Sequence, residues 1–184
     1  MEYISLLWWL HGGINVSGKK KIKMLDLILL YESLGFNNIA TYIQSWNVIF
    51  DTQHENISEI KSLIEQVIKS KYHFHVPVEI RTKKEITNII KNNPFAAVDL
   101  EKNGTRVLVT FLSIKPDKNN SSNLLSYVNP PEKLIIKDKT VCFHCPNGYG
   151  KSKLTNNFIE NKLKLEATTR NWKSLLKLDE LSEA

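Results

Sequence analysis

The apolar positions of this chain follow two periods, and the points where one gives way to the other mark out its elements. "EYISLLWWL", residues 2–10, is dense in β-branched, aromatic and aliphatic side chains and stops at a glycine pair, which predicts a buried strand. Met24, Leu27, Ile28, Tyr31 and Leu34 then recur at helical spacing. Gly35 predicts the stop, because glycine enters the left-handed conformation without steric cost. "NIATYIQS" and "NVIFDT" read as two short strands of a hairpin. In "ENISEIKSLIEQVIKSKY", Ile57, Ile60, Leu63, Ile64, Val67 and Ile68 form one helical stripe with Glu and Lys opposite. "VPVEIRT" closes the run as a strand. Pro77 has no amide hydrogen to give to a ladder, so this strand is predicted at a sheet edge.

The order is βαββαβ, that of a ferredoxin-like domain in which two helices cover one face of an antiparallel four-stranded sheet. A linking helix, "TKKEITNII", follows with Thr82 as its cap, and the order then restarts. "TRVLVTFLS" is a strand, "DKNNSSNLLSYV" a weakly patterned helix, and "EKLIIKD" with "KTVCFHC" a hairpin turning through Asp138 and Lys139. "KSKLTNNFIENKL" is the next helix, "EATTR" a short last strand and "NWKSLLKLDEL" a terminal helix. The expected class is α+β: two tandem ferredoxin-like units with antiparallel sheets, a linking helix and a C-terminal helix. The units are expected at 1–82 and 104–184, with a connecting helix and loop over 83–103, a size at which small domains fold. A single larger sheet running through both halves is the alternative.

Composition narrows the class of protein. Apolar residues make up 42% of the 184 and charged residues 24%, which predicts a packed core rather than disorder. The longest apolar run, Ile4 to Leu10, is broken by Ser5 and falls far short of the ~20 residues that cross a bilayer. Glu2 before that run and His11-Gly12-Gly13 after it do not fit a secretory signal, so the mature chain is expected to begin at Met1. Cys142 and Cys145 stand too close together to staple a fold, which points to a cytoplasmic setting. "CFHC" gathers three soft side chains without a second cluster at ligand spacing. These residues are therefore read as core or strand-edge positions, and no metal or cofactor is expected.

A net charge of +6 suggests an anionic partner. Only Arg81, Arg106 and Arg170 are arginine, so the charge is carried by lysines, which bind as point charges and not as planar forks. Charge alone favours a merely solvated surface. Two stretches add to it. "HGGINVSGKKKIKML" and "HCPNGYGKSKLTNNF" each set glycines and lysines between an expected strand and an expected helix. A phosphate-binding loop needs glycines whose amides close on phosphate, a lysine for charge and a hydroxyl for magnesium. In the first stretch Gly13, Gly18 and Lys19 fit, but Lys20 takes the hydroxyl position. In the second, Gly150, Lys151 and Ser152 fit, but Cys145 replaces the first glycine. The antiparallel hairpins also disagree with the parallel sheet of such enzymes, so a nucleotide hydrolase is rejected. What survives is an anion site at a helix N-terminus, balanced against an ordinary solvated loop.

No catalytic group emerges. Ser152, His144 and Cys145 are close in sequence, but neighbours along a strand face opposite ways. Asp51, Asp99 and Glu101 sit near strand ends, where solvated acids are common. Thr168, Thr169, Arg170 and Asn171 could donate to a phosphorylated metabolite, although capping the last helix is their simpler duty. Tyr3, Tyr42, Phe50 and Phe111 are strand aromatics of the kind that stack RNA bases on an open sheet, yet no stretch matches the aromatic-rich RNA-binding pattern.

"GGINVSGKKKIKM", "YIQSWNVIF", "EIRTKKEITNIIKNNPF", "GKSKLTNNFIE" and "ATTRNWKSLLKL" resemble, in order, the successive blocks of the domain of unknown function 1697 family. The resemblance implies a tandem pair of ferredoxin-like units in bacterial cytoplasmic proteins and implies no established activity. Three positions depart from the family pattern: Gly12 where an arginine is usual, Trp46 where a glycine is usual, and Lys173 where asparagine is common. Burial of Trp46 against the sheet is its simplest role, with base stacking or a protein contact as the alternatives.

The resulting expectation is a protein that binds a phosphate-bearing ligand, nucleotide or RNA, through Asn15, Gly18, Lys19, Lys20, Lys151, Ser152 and Arg170. A small enzyme acting on a phosphorylated metabolite and a protein interaction module are the alternatives. No membrane partner is expected.

Overall fold

The computed structural model describes residues 2–7, 22–42 and 47–182 of the chain, the first of these stretches by its backbone. The protein is α+β with two antiparallel four-stranded sheets. It divides into two compact units, Met1–Asn88 together with Lys177–Ala184, and Ile89–Leu176. The division falls within two helices, α3 (Lys83–Lys91) and α7 (Trp172–Leu181).

In the first unit the order is β1 (Glu2–Leu7), α1 (Met24–Ser33), β2 (Asn37–Tyr42), β3 (Asn47–Asp51), α2 (Ile57–Tyr72) and β4 (Val78–Thr82). The strands lie in the order β2-β3-β1-β4, all neighbours antiparallel, which puts β4 at the edge that Pro77 predicts. α2 forms because Ile60, Ile64 and Ile68 recur every four residues, and all three are fully buried. Ile57 belongs to that stripe in sequence, but as the first residue of the helix it stays exposed. The Asn56 side chain accepts from the amides of Ser58 at 3.0 Å and Glu59 at 3.4 Å, starting the helix. α1 ends at Leu34, followed by Gly35 at φ 77°. An added Cβ there meets no atom within 4 Å, so it is the backbone angle and not crowding that favours glycine. The chain then returns Phe36 to the core, stacked on Phe50 at 4.6 Å, with Tyr31 edge-on to both.

In the second unit the same order recurs: β5 (Val107–Leu112), α5 (Lys118–Leu125), β6 (Lys133–Lys137), β7 (Thr140–His144), α6 (Asn156–Leu163) and β8 (Ala167–Asn171). The strands lie in the order β6-β7-β5-β8. β5 is buried on both faces, as its run of Val, Leu and Phe implies, and pairs with β7 on one side and β8 on the other. The β6–β7 hairpin turns where expected, with Asp138 at φ 49°. α3 begins directly after β4. The Thr82 hydroxyl accepts from the Glu85 amide at 3.2 Å, and Glu85 accepts from the Thr82 amide at 2.8 Å. This reciprocal cap is the one Thr82 promised in the sequence. A short helix, α4 (Leu100–Asn103), capped by Asp99, precedes β5.

One element starts elsewhere. The sequence reading begins a helix at Lys151, but α6 begins five residues later at Asn156, with the Thr155 hydroxyl accepting from the Phe158 amide at 3.3 Å. Residues 149–151 form a single 3₁₀ turn instead. Thr155 is the stronger start signal because its hydroxyl satisfies an amide that the helix itself leaves open.

Candidate functional site

The second glycine turn is the part of the expected site that the structure describes. It leaves β7 at His144 and reverses through Gly148, which sits at φ 93°. Three of its amides are already committed. Gly148 donates to the Cys145 carbonyl at 2.9 Å, Lys151 to that of Gly148 at 3.1 Å, and Ser152 to that of Tyr149 at 3.1 Å. The Asn156 amide, at the first turn of α6, donates to the Tyr149 hydroxyl at 2.8 Å. At those four amides a phosphate oxygen would have to compete with the acceptors already present. Lys151 projects from it exposed, and no carboxylate pairs with it among the described residues. Ser152 is buried, and its hydroxyl accepts from the Leu154 amide at 3.0 Å.

Arg170 is not a surface donor. It lies buried on β8, and its guanidinium folds back to the Thr168 hydroxyl at 2.7 Å and the Thr169 carbonyl at 2.9 Å. Burial lowers its pKa to about 10, which leaves it charged at neutral pH. Asn171 performs the capping duty, its side-chain oxygen accepting from the Ser174 amide at 2.8 Å. Asn15, Gly18, Lys19, Lys20 and Trp46 lie outside the described residues, as does the Tyr3 side chain.

Behind the turn lies a polar network that no local spacing in the sequence announced. Asn156 donates to the Ala167 carbonyl at 3.0 Å and accepts from the Thr169 hydroxyl at 2.8 Å, and Thr169 meets Thr110 across the β5–β8 pair at 2.7 Å. Glu160 accepts from the Ala167 amide at 3.2 Å. Desolvation raises its carboxyl to about 7, against the lowering effect of the Ala167 and Asn156 bonds and with a smaller push from the Glu166 charge. These partners are distant in sequence and come together only when α6 packs on the sheet.

The two thiols are buried. Burial drives the pKa of both Cys142 and Cys145 up to about 11, and the Cys145 thiol donates to the Arg106 carbonyl at 3.2 Å. Of the aromatics considered for base stacking, Phe50 and Phe111 are fully buried and present no ring to a ligand. Tyr42 is half-buried.

The model of a family described as "Protein of unknown function (DUF1697)" matches residues 1–141. The chain belongs to this family. The match ends within β7, so the last two sequence blocks that resemble DUF1697, around Gly150 and Thr168, lie beyond it. A solved structure, the conserved bacterial protein SP0830 from Streptococcus pneumoniae, is similar to this DUF1697 chain at 19% identity over 98% of each chain, with a TM-score of 0.74. At that identity the likeness speaks to the fold alone. No curated protein matches the chain. Among the described residues, no helix is long and apolar enough to cross a membrane.

Proposed function

We propose that this DUF1697 protein is a tandem of ferredoxin-like units, working in the cytoplasm, that binds a phosphate-bearing ligand, nucleotide or RNA, at its glycine-lysine turns, with lysine side chains supplying the charge. Support for the fold reading comes from the repeated element order and from strand orders that correspond position for position, β2-β3-β1-β4 and β6-β7-β5-β8. The two unbridged, buried thiols suit a reducing compartment. The observation that carries the binding reading is Lys151, exposed on a glycine turn, within a chain of net charge +6. A cation without a carboxylate neighbour raises the local concentration of phosphates. Lys19, Lys20 and Lys151 supply the charge in this reading, Asn15 and Gly18 belong to the first turn, and Ser152 and Arg170 hold the framework.

Thermal melting at low ionic strength tests it. The melting temperature rises with added polyphosphate or oligonucleotide, and the rise is lost in Lys19→Ala/Lys20→Ala/Lys151→Ala. A melting curve indifferent to both additives contradicts the reading.

A further inference from the structure

We propose that the outer half of the second unit's sheet, where β6 presents Lys133, Ile135 and Lys137, docks an extended single strand of nucleic acid. The inference rests on the phosphate-ligand reading above and gives it a location. Register decides which side chains share the face: Lys133 lies opposite His144, Ile135 opposite Cys142 and Lys137 opposite Thr140. Directly opposed residues of an antiparallel pair project to the same side. The alternate residue Leu134 is buried, opposite the equally buried Phe143. On that face the open positions are those of β6 itself: both lysines are exposed and Ile135 is 43% exposed between them, whereas Cys142 opposite Ile135 is buried and the His144 ring meets Phe95 at 5.9 Å.

The pattern along the strand is cation, apolar, cation. Four residues of strand span about 14 Å, so the two ammonium groups can meet separate phosphates while Ile135 lies under an intervening base. No carboxylate pairs with Lys133 or Lys137 among the described residues. Of the acids flanking β6, Asp138 is engaged by Lys115 at 3.1 Å, and Glu132 lies just before the strand. The pKa of His144 is lowered by its burial first and then by the charges of Lys133 and Arg106, so positive potential gathers at this end of the strip. An extended strand of alternating phosphates and bases matches that alternation, whereas a membrane surface would call for a broader apolar area to insert. Among the described residues this face offers no exposed aromatic for stacking, so binding depends on charge more than on sequence.

Lysines on an edge strand also discourage sheet-to-sheet pairing. A charge of either sign serves that purpose, and only a positive one binds phosphate. The experiment therefore measures anisotropy of a short labelled oligouridine with the full chain, its Lys133→Glu/Lys137→Glu variant and its Lys133→Arg/Lys137→Arg variant. The Glu pair weakens binding by about tenfold or more, the Arg pair keeps it, and both retain the parent melting temperature because the positions are exposed. Wild type that fails to bind overturns the phosphate-ligand reading itself. Wild type that binds equally well to the Glu pair leaves that reading standing and overturns this location. Vesicles rich in phosphatidylserine that displace the oligonucleotide completely through the same lysines overturn the choice of ligand.

Discussion

β2 and β6 hold the same place in their sheets, yet they guard their open edges differently. β2 carries no charged residue. Its register with β3 shifts between Asn37 and Ala40, Asn38 takes φ 50°, and the Asn38 side-chain Nδ2 donates to the Asp51 carboxylate at 2.7 Å. A bulge of this kind twists an edge out of reach of another strand. β6 is regularly paired along its length and begins and ends with lysine. One topology has thus left one edge neutral and irregular and the other flat and cationic. The proposed polyanion contact is accordingly placed at the second unit's edge, on side chains that the shared topology does not dictate.

A second comparison sits at the ends of β4 and β8. In both, the fourth residue is a buried arginine that turns back to the side chain two residues before it and to the carbonyl immediately before it, and a capped helix follows at once. Arg81 meets the Glu79 carboxylate, whereas Arg170 meets the Thr168 hydroxyl. Removing Arg81 strands a buried carboxylate, whereas the Thr168 hydroxyl and Thr169 carbonyl that meet Arg170 are neutral. Arg81→Ala should cost ~3–5 kcal/mol and Arg170→Ala ~1–3 kcal/mol in urea denaturation. Glu79→Gln should recover part of the first loss, and Thr168→Val a smaller part of the second, since it removes the hydroxyl left without its donor. Equal costs would mean that the charge of Glu79 does not distinguish the two ends.

Helix termini give a smaller contrast. α1 is followed by Gly35 at φ 77°, whereas α6 is followed by Lys164 at φ 56°. Gly35→Ala should destabilise and Lys164→Gly stabilise, each by about 1 kcal/mol, because a Cβ opposes the left-handed conformation. A Lys164→Gly protein no more stable than the parent would show that the lysine's other contacts outweigh its backbone.

A pH effect should be confined to the second unit. The Glu160 carboxyl is raised to about 7, above its unfolded value of about 4.3. Between those values the folded state keeps a proton that the unfolded state has lost. Its contribution is full below about pH 4.3 and is lost as pH rises through about 7. Glu160→Gln should flatten that decline in a series of melts across this range. A decline unchanged by the substitution would assign it to other groups.

Much of this was legible in the sequence. The helical stripe of α2, the Thr82 cap, the Pro77 edge and the Asp138 turn each follow from one local requirement of backbone or burial, and each is found. The start of α6 was misread because Lys151 to Leu154 continue the helical pattern, and the cap at Thr155 outranks it. Arg170 read as a surface donor because nothing in "ATTRN" reveals that the strand is buried and its guanidinium folded back. Lys133 and Lys137 stood in plain view within "EKLIIKD", but their importance depends on β6 being an edge, and that is fixed by strand order, not by period. The network of Tyr149, Asn156, Glu160 and Thr169 joins residues that only tertiary packing brings together.

The salt dependence of oligouridine binding tests the central claim most directly. For a single strand, the slope of log K against log salt steepens by about 0.7 for each phosphate that a cation neutralises. Lys133→Gln/Lys137→Gln should therefore bind with a slope shallower than that of the parent chain by about 1.4. Parallel lines for the two proteins would contradict the assignment of a polyanion to the β6 edge.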